Sequence, residues 1–150
     1  MSDNNEFNPL CFDTQICFSL YSASNAMIRA YRPELKSLDL TYLQYMVMMI
    51  LWEQDGISIS ALGLKLHLDS GTLTPLLKRL EAKKLILRKV SEKDERSKCL
   101  YLTRNGTSLK QKALSIPEAI LCKTALPYDQ LLNMKKLCDQ MLATLNDSSA

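Results

Sequence analysis

Between Asp69 and Glu81 the chain places leucines at 73, 76, 77 and 80, the i, i+3, i+4, i+7 spacing of a helix with one buried face. Asp69 or Ser70 can cap its start by accepting from the first amides, which have no partner inside the helix. The opposite face carries Thr72, Thr74, Pro75, Lys78 and Arg79, small hydrogen-bonding groups near the N-terminus followed by cations one turn later. Such a face suits a major groove. Ahead of it, Ile57 to Leu66 reads as a short capped helix whose Ile59, Leu62 and Leu66 pack on the leucine face, so the two predict a helix-turn-helix. Behind it, Leu85 to Val90 and Lys98 to Thr103 have strand character. The seven residues between them, Ser91 to Ser97, are almost all polar, which predicts a wing-shaped hairpin.

The flanking sequence is helical in pattern. From about Asp13 to Leu35, apolar positions recur at Cys17, Leu20 or Tyr21, Met27 or Ile28, Tyr31 and Leu35, with no proline before Pro33, as in one long amphipathic helix. A second helix is predicted from Tyr42 to Trp52 with Thr41 as its cap, and its Tyr45, Met46, Met48, Met49 and Trp52 are expected in the core. Thr103 can cap a helix running through Leu109 to Cys122, bent or interrupted at Pro117, and Pro127 fits the first turn of a last helix. In that last helix Leu131, Met134, Cys138, Met141 and Leu145 alternate spacings of three and four, an apolar seam that needs a partner helix. A homodimer interface is the natural partner. The fold class expected is therefore mainly α with a small β-hairpin wing, a winged helix-turn-helix whose terminal helices form a homodimer interface.

Charge sharpens the picture. Nine Lys or Arg stand against four Asp or Glu between Lys78 and Lys98, a local excess of five in a chain whose formal charge is +3, so the remainder carries a net of about −2. Basic charge is concentrated where DNA would lie. The 150 residues, 47% hydrophobic with four glycines, suffice for one core and predict one domain, 1–150, with dimerisation helices at about 10–36 and 104–146 and the winged helix-turn-helix at about 42–103. No apolar run approaches the roughly 18 to 20 residues that span a bilayer, and the polar, acidic start from Met1 to Asn8 is unlike a signal peptide, so a cytoplasmic protein is expected. Five cysteines, at 11, 17, 99, 122 and 138, have no CxxC spacing and only one histidine, His67, accompanies them, which argues against a metal site; no cofactor is expected.

Three segments together resemble one family: Leu68 to Leu80 across the recognition helix, the wing motif Asp94-Glu95-Arg96 with Leu102-Thr103 downstream, and Gln15-Ile16-Cys17-Phe18 near the start. The chain resembles, over nearly its whole length, the MarR winged-helix regulators, and within them the OhrR-type organic-hydroperoxide sensors with two cysteines. That resemblance implies a homodimer on pseudo-palindromic double-stranded operator DNA. DNA contacts are expected from Ser70, Thr72, Thr74, Pro75, Lys78, Arg79 and Lys84 on the helix face and just beyond it, and the resemblance implies Arg96 as the minor-groove residue with Asp94 orienting it. Lys83 joins Lys78, Lys84 and the wing cations as an expected phosphate contact.

The thiol reading has two sources. A helix beginning near Asp13 or Thr14 puts Cys17 in its first turns, where the positive end of the macrodipole favours a thiolate, although a packed helix cysteine fits the same spacing. The resemblance adds that Cys17 stands where the peroxide-reactive cysteine is found, that Tyr31 and Tyr42 hold the tyrosines bonding that sulfur across the dimer, and that Cys122 resembles the resolving cysteine of an intersubunit disulfide. Leu43 departs from the family, which often has proline there. Cys138 falls on the apolar seam as a packing residue, Cys11 is a competitor of Cys122, Cys99 lies in a wing strand with no assigned role, and His67 is expected in a turn or on a phosphate. The expected function is a transcriptional repressor, not an enzyme, that leaves its operator when organic hydroperoxide oxidises Cys17. Two other readings stay open: release by a small phenolic or lipophilic ligand in a cleft between helices, with Cys17 inert, and a thiol peroxidase, which leaves the basic helix and wing unexplained.

Overall fold

The computed structural model describes residues 8–149. All but the last residue of the polar stretch at the start of the chain thus lies outside the described residues. A single 3-10 turn, Phe12–Thr14, precedes α1 (Ile16–Lys36), followed by α2 (Tyr42–Glu53), α3 (Ile59–Leu66), α4 (Ser70–Ala82), β1 (Ile86–Val90), β2 (Lys98–Leu102), α5 (Arg104–Ala113), α6 (Ile116–Thr124) and α7 (Tyr128–Asp147). This is a winged helix-turn-helix carried on longer helices.

Local chemistry explains most boundaries. Thr41 and Gln44 form a reciprocal capping box at the start of α2, Ser58 caps α3, Asp69 caps α4 and Thr103 caps α5. Asp69 accepts from the Thr72 amide at 2.7 Å, and this hydrogen bond is the main reason its carboxyl is held below its ordinary value of 3.8. α1 and α4 each end in a left-handed residue, Asp39 at φ 51° and Lys84 at φ 58°, with the next amide returning to the helix, Leu40 to the Leu35 carbonyl and Leu85 to the Leu80 carbonyl.

The core gathers Leu35, Leu38 and Leu40 from the end of α1 and its turn, Tyr45, Val47, Met48 and Leu51 from α2, Leu62 from α3, and Leu73, Leu76, Leu77 and Leu80 from α4. Ile86 and Leu100 of the hairpin and Ala113, Ile116 and Ile120 of α5 and α6 close it. The hairpin is antiparallel with Arg88 opposite Leu100, and the segment before α3 extends it, since the Leu100 amide donates to Ile57 and the Gly56 amide to Leu100. Across the back, Trp52 Nε1 donates to the Gly106 carbonyl at 2.8 Å, joining α2 to α5. Gly106 is obligatory for close approach: a Cβ there would stand 2.1 Å from the Leu85 carbonyl oxygen.

Four expectations are corrected. The first helix starts at Ile16, not near Asp13, because the 3-10 turn and an extended Gln15 intervene, with the Gln15 side chain donating back to the Pro9 and Cys11 carbonyls. Met49 is exposed, since α2 turns that position away from the shared core. Three helices, not two, follow Thr103; the break falls at Leu114 and Ser115, ahead of Pro117, because proline is accommodated in the first turn of α6. Pro127 stands one residue before α7, as its N-cap. α7 carries no buried residue: Leu131 and Cys138 are half-buried and Met134, Met141 and Leu145 exposed.

Two outcomes test this account. Gly106→Ala should cost roughly 2 to 4 kcal/mol in denaturant unfolding, because backbone rather than a flexible side chain must yield. Asp69→Ala should lower the melting temperature at neutral pH. The carboxyl is depressed in the folded state, so its contribution is present above its ordinary value and disappears as pH falls through the lowered one; the gap between variant and wild type should close in acid.

Candidate functional site

The leucine face of α4 is buried, so its other face is outward. Ser70, Thr72, Thr74, Pro75, Lys78 and Arg79 are all exposed along it. The helix, about 20 Å long at 1.5 Å per residue, is of a size to lie in a major groove. Pro75 lacks the amide that would bond to the Gly71 carbonyl. Lys84 is exposed one residue beyond the helix cap. The wing is closed by the Ser91 amide donating to Ser97 at 2.8 Å and the Ser97 amide to Asp94 at 3.0 Å. Asp94 Oδ1 accepts from the backbone amide of Arg96 at 3.0 Å, so it sets the turn on which Arg96 stands rather than gripping the guanidinium. Both are exposed at the tip.

Two cations counted in the basic stretch are engaged elsewhere. Arg88 forms a two-pronged pair with Glu81, Nε to Oε1 at 2.9 Å and the terminal nitrogen to Oε2 at 2.6 Å, bracing β1 against the end of α4. Lys83 bonds to the Asp39 carbonyl, pairs with its carboxylate at 3.2 Å, and reaches Gln44 Oε1 at 3.4 Å. Neither brace had a signal in the sequence, because each joins residues on different elements. His67 ends α3 in the left-handed conformation, as a turn residue.

The thiol residues occupy both ends of α1. Cys17 is the second residue of the helix, exposed, beside Phe12 and Phe18, whose rings lie 4.6 Å apart. Gln15 makes no side-chain cap to the helix amides there. Tyr31, fourteen residues on, packs against Tyr42 at 5.0 Å and Tyr45 at 5.8 Å between ring centres. Burial is the main cause that raises the phenols of Tyr31 and Tyr42 above their ordinary value, with Tyr42 and Tyr45 adding to it at Tyr31. Both therefore remain O–H donors at neutral pH. Cys122 is exposed near the end of α6, and its neighbour Lys123 bonds to Glu34 at 2.7 Å and to the Ala30 carbonyl at 3.4 Å. This places Cys122 at the Tyr31 end of α1. Thirteen residues separate Cys17 from Ala30 on a continuous helix, about 20 Å, so one chain packs Tyr31 on Tyr42, sets the end of α6 against the same half of α1, and leaves Cys17 at the other end.

Cys99 is buried in the wing base, and Cys11 and Cys138 are half-buried. Among the described residues no group of histidines, cysteines and carboxylates could hold a metal, and no helix is long and apolar enough to cross a membrane.

Known proteins share this plan. The family described as transcriptional regulator SarA/Rot matches residues 29–113. The organic hydroperoxide resistance transcriptional regulator of Bacillus subtilis (strain 168) is 41% identical over 97% of this chain and 99% of its own length. The structure of reduced AbfR bound to DNA matches with a TM-score of 0.73 at 35% identity, over 89% of this chain and 93% of that one. The disulfide-formed structure of AbfR matches with a TM-score of 0.62 at 34% identity, over 90% and 92%. An outward recognition helix, a basic wing and these relatives lead to one conclusion: the chain belongs to the MarR family of winged-helix transcriptional regulators, as an OhrR-type, DNA-binding member.

Proposed function

We propose that this regulator is a repressor that senses organic hydroperoxide through Cys17 and leaves its operator when Cys17 becomes joined to Cys122 of a second copy. The observation that carries the reading is the separation along α1. A disulfide needs Cα atoms within about 7 Å, and the roughly 20 Å of helix between Cys17 and Ala30, which the α6 end carrying Cys122 adjoins, supports a bond between chains rather than within one. Two chains with α1 helices running past each other would bring each Cys17 to the other's Tyr31, Tyr42 and Cys122. The exposed apolar seam of α7 and the exposed Phe12, Ile16 and Phe18 supply the surfaces such a homodimer would bury. In this reading 1–150 is one MarR-type domain in a cytoplasmic protein. Helices at about 10–36 and 104–146 dimerise, and the segment at about 42–103 docks twice on a pseudo-palindrome.

The chemistry balances with the hydroperoxide as oxidant. The Cys17 thiolate attacks the outer peroxide oxygen, the O–O bond breaks, and the alkoxide takes a proton to leave as alcohol, giving a sulfenic acid. The Cys122 thiol of the other copy then attacks that sulfur, and water departs with its proton and the sulfenic oxygen. Tyr31 and Tyr42, as neutral phenols, donate to the sulfur before oxidation and lose that partner afterwards. Taking DNA occupancy from about 99:1 to 1:99 requires roughly 5.5 kcal/mol between the two states, which a covalent cross-link and lost helix contacts can supply. Ser70, Thr72, Thr74 and Pro75 would read bases, Lys78, Arg79 and Lys84 would hold the backbone, and Arg96 on the turn set by Asp94 would enter the minor groove.

A second reading has an observation of its own. A cleft of about 930 Å³ between α1, α2 and α4 is lined by Arg32, Lys36, Arg79 and Lys83 together with Leu40, Tyr42 and Pro75, a surface for a small phenolic or lipophilic effector with Cys17 inert.

A few equivalents of organic hydroperoxide should release wild-type protein from DNA, and thiol reductant should restore binding. Cys17→Ser should stay bound; if it responds as wild type does, the ligand reading replaces the thiol one. Cys122→Ser should be oxidised at Cys17 without the cross-linked dimer seen on non-reducing gels. In titrations against salt, Lys78→Ala should reduce the slope of log affinity by roughly 1.8, since each dimer loses two phosphate contacts.

A further inference from the structure

Lys83 stands in the basic stretch yet is turned away from the outward face of α4. Its ammonium bonds to the carbonyl of Asp39, lies 3.2 Å from the Asp39 carboxylate and 3.4 Å from Gln44 Oε1. Asp39 holds the left-handed conformation that terminates α1. Gln44 is the one buried polar side chain of the core among the described residues, and its Oε1 also accepts the Thr41 amide at 3.2 Å in the capping box that starts α2. Tyr42 is the first residue after that cap. One ammonium at the end of the recognition helix therefore holds the turn between α1 and α2, on which Tyr42 is mounted.

We propose that Lys83 is a positioning residue rather than a phosphate contact: through Asp39 and Gln44 it sets the tilt of α4 against the α1–α2 corner and passes the state of Tyr42 to the DNA-reading face. A shift of Tyr42 moves the Thr41–Gln44 cap, and the Lys83 link obliges the end of α4 to follow. Charge alone does not explain the arrangement, since a lysine serving DNA would point outward as Lys78 does. The part concerning Tyr42 rests on the redox reading above; the positioning of α4 does not.

The test uses the full chain in its reduced state and a duplex selected by the wild-type protein from a random pool. Affinity is measured across a salt series for Lys83→Met, Gln44→Met, the double variant and Lys78→Met, with thermal melts to establish folding and Asp39→Asn as a milder second break of the link. Lys83→Met should weaken binding about tenfold at every salt concentration with the wild-type slope. Gln44→Met should do likewise, and the double variant should be little worse than either single one, as for residues acting through one contact. Lys78→Met, by contrast, should flatten the slope. A flattened slope for Lys83→Met, effects that multiply with those of Gln44→Met, or no effect on affinity would each overturn the proposal. Repeating the series after hydroperoxide, the ratio of oxidised to reduced dissociation constants should fall towards one in Lys83→Met; an unchanged ratio would sink the coupling. If wild type itself ignores hydroperoxide, the redox reading fails, and the salt slopes and the double-variant comparison still decide the role of Lys83.

Discussion

Burial of one leucine row on α4 is the constraint on which the rest depends. Leu73, Leu76, Leu77 and Leu80 are all inside, against α2, α3 and the hairpin. Removing four leucine side chains from water contributes on the order of 6 to 12 kcal/mol in transfer free energy, an upper figure because the unfolded chain already hides some surface. A helix held that firmly by one face has no rotational freedom about its axis. The groups at 72, 74, 75, 78 and 79 are outward as a consequence, and a face that cannot roll is what sequence-specific reading of DNA requires.

Rigidity about the axis leaves tilt and end position to be set by polar links. Asp69 holds the first turn, Arg88 and Glu81 brace the wing against the last, and Lys83 ties that same end to the corner before α2. These links are partly exposed and individually modest beside the leucine row. They suit adjustment rather than support: through them a chemical event elsewhere can change the presentation of α4 without unfolding it.

α1 has a different office. Its C-terminal third belongs to the core through Leu35, while its N-terminal two turns carry Cys17 among exposed aromatic residues. A continuous helix keeps Cys17 about 27 Å from Leu35. The same helix keeps Cys17 apart from Tyr31 within one chain, and it leaves the Cys17 sulfur on an exposed stretch of the molecule.

The recognition helix, its cap, the short helix before it and the hairpin were legible in the chain because each rests on a local period: 3.6 for the leucines, two for the strands, and a capping residue at the break. The same holds for Thr41, Thr103 and the position of Lys78, whereas Arg96 entered only through the resemblance of the wing motif to a known family. Local period says nothing about distance between elements, and there tertiary structure decided. It withdrew Lys83 and Arg88 from the basic surface, turned Met49 outward, started α1 at Ile16 behind a 3-10 turn, and split the helices after Thr103 before Pro117. It also set the end of α6 that carries Cys122 against the C-terminal half of α1, the end away from Cys17. The physical reason is common to all of these: hydrophobic spacing records which face of an element is buried, whereas an ion pair, a helix start or the separation of two thiols depends on where packing puts the neighbouring element.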